Sequence, residues 1–261
     1  MKHIIVSLCD FSGAWSRPFV GVPGYVIRVD PKHDPDYVPN GRGLVSVDAG
    51  DGKVRTMKDG GMSLALSVSS LRNRLAIDPT YLWRITGIPR IYWWDATIGI
   101  LMAPPCTDFA ISGARWFKAK DGDGRTAESV RIVRDCLHIR NILAPDWWVL
   151  ENPVGRVARL VPELGKPKMY FHPWEYAGLA DDPDSEAYTK KTALWGDFNT
   201  DLRPVPRDPV MYERGGKRGS WMWANLGGKS ERTKELRSMT PTGFAWEFAS
   251  AQMRQWRNDN A

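Results

Sequence analysis

Ile4-Ile5-Val6-Ser7-Leu8, then Asp10-Phe11-Ser12-Gly13, then Tyr25-Val26-Ile27-Arg28-Val29-Asp30 are the pieces of sequence on which the fold class turns. The first is a short apolar run of the kind buried on both faces of a parallel sheet. A glycine turn breaks it. The stretch from Ala14 to Val20 is interrupted by Pro18 and is too short for a long helix. The next run is again strand-like and ends on an acid. Strand, glycine turn, short crossover and strand ending in an acid is the pattern of a nucleotide-binding α/β unit.

Outward from this unit the same alternation continues. Residues 31–60 are rich in Pro, Gly and Asp and read as loop, with Leu44-Val45-Ser46-Val47-Asp48 a strand inside them. Met62 to Leu75 reads as helix, and Tyr81 to Ile91 as a second short helical piece. Ala96 to Met102 is a buried strand stopped by Ala103-Pro104-Pro105. Residues 112–124 read as a mobile basic loop. Val130, Val133, Leu137 and Ile142 place a helix over Thr126–Leu143. Trp147-Trp148-Val149-Leu150 is a strand ending at Glu151-Asn152-Pro153, and a last helix runs from Pro241 to Trp256. The expected class is α/β with a mainly parallel, doubly wound sheet.

Composition narrows the function classes. The 261 residues are 43% hydrophobic and 25% charged, which is globular rather than disordered or fibrous. A net charge of +6 permits a polyanionic partner without requiring one. Cys9, Cys106 and Cys136 are too few and too scattered for a disulfide framework or a four-ligand zinc site, so no metal and a reducing compartment are expected. No targeting segment stands out, and the run Ile98–Ala103 is far below the roughly 20 residues of a membrane-spanning helix. The expectation is a soluble, cytoplasmic protein. The 13 tryptophans are the least ordinary count.

In open α/β sheets, ligands sit beyond the carboxyl ends of the strands. Asp10–Gly13, Asp30, Pro104-Pro105-Cys106 and Glu151-Asn152-Pro153 all fall at such ends. The two prolines hold the Cys106 thiol in an extended loop rather than a core, and a thiolate is a nucleophile where its surroundings stabilise the anion. Glu151 follows four apolar residues. Partial desolvation there raises a carboxyl pKa and suits it to proton donation. Cys9 and Cys136 read as structural.

Together these motifs resemble the DNA cytosine carbon-5 methyltransferases, particularly the short phage-type members. Asp10-Phe11-Ser12-Gly13, with Trp15, resembles the turn that binds S-adenosylmethionine. Asp30 matches the ribose-binding acid, Asp48 an adenine-contacting acid, and Pro104 and Thr240 further cofactor neighbours. Ala103-Pro104-Pro105-Cys106 resembles the nucleophile motif, and Glu151-Asn152-Pro153 the family's Glu-Asn-Val motif, 45 residues later. Gly124-Arg125-Thr126 resembles the region opening the next helix. Thr189–Gly196 falls where the family has an arginine-bearing strand, with Lys190-Lys191 replacing the arginines. Thr240–Ala245 resembles the final motif.

The resemblance implies a fold of the S-adenosylmethionine-dependent methyltransferase type. It also implies a DNA (cytosine-5-)-methyltransferase in which Cys106 attacks the base and Glu151 supports ring nitrogen 3, with Lys191 and Arg115 as further catalytic groups. The implied cofactor is S-adenosyl-L-methionine, leaving as S-adenosyl-L-homocysteine. The implied partner is double-stranded DNA, met by a monomer in a bacterial or phage-infected cell. The base must be extruded from the duplex to be reached.

Residues 1–196 are expected to form the catalytic core and 237–261 a helix returning to it. Only residues 197–236 take the place of a target-recognition domain, so recognition is expected to be short. Residues 211–237 carry seven Lys or Arg against three Glu. The expected DNA contacts are Arg115, Trp116, Lys118, Lys120 and Arg125 on the loop, Lys190, and Arg214, Lys217, Arg218, Trp221, Lys229 and Arg232 in the recognition segment. Three departures stand out: a single glycine in the cofactor turn, lysines for arginines, and Arg237-Ser238 where the family has Gly-Asn. The altered final motif keeps open an altered donor, the small recognition segment keeps open RNA or a free nucleotide as substrate, and the basic segment keeps open an idle DNA-binding relative.

Overall fold

The computed structural model describes residues 2–33, 54–58, 61–209, 211–226 and 230–259. Eight strands form one sheet: β1 (Lys2–Leu8), β2 (Gly24–Val29), β3 (Val54–Thr56), β4 (Met62–Leu64), β5 (Ala96–Met102), β6 (Trp147–Pro153), β7 (Met169–Phe171) and β8 (Thr192–Asp197), in the order β3-β4-β2-β1-β5-β6-β8-β7. β4, β2, β1, β5 and β6 run parallel to one another, while β3 is antiparallel to β4 and β8 is antiparallel to both β6 and β7. The chain leaves β1 for β2 on one side and later returns to β5 on the other. The strand order therefore reverses at β1, and that reversal opens a crevice at the carboxyl ends.

The helices are α1 (Val68–Ile77), α2 (Tyr81–Thr86), α3 (Arg90–Asp95), α4 (Phe117–Gly122), α5 (Arg125–Leu143), α6 (Val157–Leu160), α7 (Pro183–Glu186), α8 (Trp221–Asn225), α9 (Glu231–Ser238) and α10 (Thr242–Asp259). Alternation along the strands separates two cores. Ile4, Val6, Leu8, Ile27, Val29, Ile100, Met102 and Leu150 pack with α1, α2 and α5 through Leu71, Leu75, Leu82, Val133 and Leu137. Ile5, Val26, Leu101, Val149 and Leu194 face the other way, toward Phe244, Phe248 and Met253 of α10. Both faces are covered, so the mainly parallel, doubly wound sheet is the one expected. The amino end of α10 is closed by Glu186, whose carboxylate accepts from the backbone of Thr242 and Gly243.

Two local expectations are corrected, and one element is new. Met62–Leu64 is a strand rather than the start of a helix; the helix begins after Ser67, whose hydroxyl accepts the Ser70 amide as N-cap. Met62-Ser63-Leu64 is too short to carry a period that distinguishes the two. Residues 112–124 are largely helical, comprising a 3-10 turn over Ile111–Trp116 followed by α4. The basic stretch after residue 210 contains a hairpin, β9 (Met211–Arg214) and β10 (Lys217–Ser220), joined by Gly215-Gly216. Both glycines have positive φ, 59° and 69°, as a two-residue hairpin turn of the primed type requires. The strand expected over residues 44–48 lies outside the described residues.

Candidate active site

The carboxyl ends of β1, β2, β4, β5 and β6 open into one cleft of about 1160 Å³. Its walls carry Cys9–Ser12 after β1, Asp30–Lys32 after β2, Ser67–Ser69 opening α1, Ala103–Asp108 after β5, and Glu151 and Pro153 of β6. Lys190 and several residues of α9 close the remaining side. The four strand-end features singled out in the sequence thus converge.

At the glycine turn, Asp10 is buried, and its Oδ2 accepts from the Ser7 hydroxyl (2.9 Å), the Ser16 hydroxyl (2.6 Å) and the Ser16 amide (3.2 Å). Ser16 Oγ also accepts from Nε of the buried Arg28 (2.7 Å). This network fixes the turn from beneath. Gly13 has φ +69°, and a Cβ there would stand 2.8 Å from Arg28 Cζ, so only glycine fits without displacement. Phe11 and Ser12 line the cleft. Trp15 does not: it is buried in the α10-side core, edge-on to Phe248. Its expected cofactor role is corrected on that ground, because the turn after Gly13 directs the large ring into the sheet–helix layer.

Asp30 lies at the end of β2 with its Oδ1 accepting the Lys32 amide (2.9 Å). Desolvation, opposed by Lys32, raises its pKa to about 6. Cys9 stands beside it at φ +61°; its thiol is paired with Cys136 of α5 and is held protonated by that contact and by burial. Neither thiol is set up as a nucleophile.

The Cys106 loop is held from several directions. Asn152 Nδ2 donates to the Pro104 carbonyl (3.1 Å). Buried Arg156 donates to the Asp108 carbonyl (2.9 Å) and forms a two-pronged pair with Asp121 (2.8 and 2.9 Å). Asp108 is itself buried between Lys120 Nζ (3.0 Å) and the Ser129 hydroxyl (2.6 Å). Lys120 is therefore an internal brace, and its expected contact with DNA is corrected: α4 turns it inward against the Cys106 loop. Burial pushes the Cys106 thiol up; Lys190 and Arg237 pull it down and Glu151 pushes it further up. Glu151 is buried, and desolvation raises its pKa against the pull of Lys190. Glu151 thus has the raised affinity for a proton that its position in the sequence implied.

Pro104, Thr240, Arg125, Lys190 and Arg232 also line the cleft, with Arg125 paired to Asp123 (2.6 Å). Lys191, expected as a catalytic group, lies outside it: the residue is exposed and its Nζ sits 4.9 Å from the centre of the Tyr170 ring. Adjacent residues entering a strand point in opposite directions, and Lys190 is the one that faces the cleft. Arg115 is exposed over the ring of Trp116 (5.2 Å), does not line the cleft, and shares an outer surface with exposed Lys118. Arg218 is exposed on the hairpin. Arg214 and Lys217 occupy that hairpin and Trp221 opens α8, while Asp48 and Lys229 lie outside the described residues.

The sequence reading missed Lys32, the Ser67–Ser69 wall and Glu235 of α9. Only Ser67 left a local signal, as an N-cap candidate after a short apolar run. Among the described residues no group of His, Cys, Asp or Glu is arranged to hold a metal, and no helix is long and apolar enough to cross a membrane.

No family model matches the chain, and no curated protein does. A solved structure from E. coli, described as a "putative DNA modification methyltransferase encoded within prophage", is similar to it at a TM-score of 0.41 and 12% identity, over 75% of this chain and 47% of that one. The chain thus spans about half the length of that protein.

Proposed function

We propose that the protein is an S-adenosylmethionine-dependent DNA methyltransferase acting on carbon 5 of cytosine. The observation that carries this reading is the meeting of Cys106 and Glu151 in one cleft with the glycine turn and Asp30. A thiol, a carboxyl with raised pKa and a nucleotide-type strand-end cradle are the groups this chemistry requires.

The residues present fit the cofactor. Phe11 and Ser12 of the Gly13 turn line the cleft with Asp30, a half-buried acid with one oxygen already satisfied by the Lys32 amide. Phe11, Ser12, Asp30, Pro104 and Thr240 would hold it. Bound there, S-adenosylmethionine would supply a methyl group on a positively charged sulfur. Asp10 contributes through the turn it braces.

Carbon 5 of cytosine is a poor nucleophile until the ring is activated. The Cys106 thiolate adds to carbon 6 while Glu151 gives a proton to ring nitrogen 3, and the electron pair released makes carbon 5 nucleophilic. After methylation, a base takes the carbon-5 proton, Cys106 leaves as the thiolate, and ring nitrogen 3 returns its proton to the Glu151 carboxylate, which restores the neutral aromatic ring. Residues 197–236, with the basic hairpin, form the reduced recognition segment, and Arg115, Trp116 and Lys118 stand where an approaching duplex meets the cleft's outer surface.

The test is covalent trapping. A duplex carrying 5-fluorocytosine has no carbon-5 proton to lose, so the wild-type protein with S-adenosylmethionine should form a denaturation-stable adduct, and Cys106→Ala should not. Sequencing of converted DNA from expressing cells would then give the site. Trapping by Cys106→Ala, or 5-methylcytosine in its DNA, overturns the reading.

A further inference from the structure

Helix α9 lies across the cleft between the two halves of the site. It is tied on one side by Glu235 to Lys32, next to Asp30 (2.8 Å). On the other, the carbonyl of Arg237, in its last turn, accepts from Lys190 Nζ (3.2 Å). Lys190 is itself a cleft residue on the segment entering β8, with Cys106 and Glu151 on the same walls. One ammonium group is thus shared between the reacting end of the site and a helix that begins in the recognition segment.

We propose that Lys190 is the positioning cation for Cys106 and Glu151, and that α9 sets where it stands by holding its ammonium at the Arg237 carbonyl. This rests on the reading of Cys106 as the nucleophile. The charged groups that act on the thiol are Lys190, Glu151 of β6 and Arg237 of α9. Asp108 of its own loop, and Arg125 and Glu128 of α5, line the same cleft. Of the two cations acting on the thiol, Lys190 also acts on Glu151. A lysine serves both because its ammonium is a compact charge on a flexible stem, able to swing between a helix carbonyl and a thiolate. Displacement of α9 by an arriving duplex would release it toward the sulfur. The recognition segment would thereby be coupled to activation of the nucleophile without touching it.

The test follows alkylation of Cys106 by iodoacetamide in the full-length protein, read peptide by peptide by mass spectrometry from neutral to alkaline pH. It needs neither DNA nor methyl donor, so its outcome is independent of whether the chain methylates cytosine. Lys190→Gln should raise the alkylation midpoint by roughly half a pH unit or more. Lys190→Arg should restore it, and the outward-facing Lys191→Gln should leave it at the wild-type value. Glu235→Gln, which cuts the tie to Lys32, should increase the Cys106 alkylation rate by up to about fivefold, the ceiling for an exposed ion pair, and shift the midpoint. A wild-type midpoint in folded Lys190→Gln, an equal shift in Lys191→Gln, or a wild-type rate and midpoint in Glu235→Gln overturns the proposal.

Discussion

Asn152 donates its side-chain amide to the main-chain carbonyl of Pro104 across 3.1 Å, from a fully buried position at the end of β6. The residue beside it is Glu151, and two residues beyond the carbonyl is Cys106. One hydrogen bond thus ties together the segments that carry the proposed acid and the proposed nucleophile, which reach the cleft from β6 and from the loop after β5. The backbone reinforces it, since Ile111 and Arg156 amides bond the Val154 and Phe109 carbonyls. Asn152→Ala should leave a buried carbonyl unpaired, costing about 1–3 kcal/mol of stability. Methyl transfer should fall further than that loss accounts for, measured as kcat at a temperature where the variant is folded.

The two shifted groups fix the shape of the pH profile. Glu151 is raised by burial, and so is Cys106. Between the two pKa values the dominant form is thiol plus carboxylate, which has the same proton count as the reactive thiolate plus carboxylic acid. Activity should therefore be flat between them, falling below the Glu151 value as a second proton binds and above the Cys106 value as the last one leaves. Glu151→Gln should remove the acidic limb and lower kcat by about 10²–10⁴-fold. An acidic limb retained in that variant would assign it to another group.

Asp30 gives a separate signature in binding. Its pKa of about 6 means that the carboxylate form, which accepts hydroxyl donors, is lost as pH falls through that value. S-adenosylmethionine affinity by calorimetry should weaken on acidification past about pH 6, with proton release on binding near that pH. Asp30→Asn should be weak at both ends and should not show the release.

Gly13→Ala tests the proposed cofactor turn as structure. The positive φ and the 2.8 Å approach to the buried Arg28 guanidinium leave no relaxed position for the methyl group. The expected loss is about 1–3 kcal/mol, seen as a lower denaturant midpoint together with weakened cofactor binding.

Lys120 separates bracing from DNA contact. Lys120→Ala strands the buried Asp108 carboxylate and should cost about 3–5 kcal/mol in stability. Lys118→Ala, on the exposed side of the same helix, should leave the melting temperature within about 0.5 kcal/mol equivalent and reduce DNA affinity and its salt dependence. The opposite assignment of these two phenotypes would return Lys120 to the DNA-facing surface.

The sheet's centre and the residues at its edge follow from local sequence. Buried runs such as Ile4–Leu8 and Ala96–Met102 are legible because apolar continuity is local, and Asp10–Gly13, Asp30, Cys106 and Glu151 are legible because turns and strand ends are written in adjacent residues. Tertiary structure alone decided between neighbours of like chemistry: Lys120 inward but Lys118 outward, Lys190 in the cleft but Lys191 over Tyr170, Trp15 in the core rather than at the cofactor. Those choices depend on partners far along the chain, such as Phe248 for Trp15 and Arg237 for Lys190. A charge's environment is set by what packs against it, and no local pattern records that.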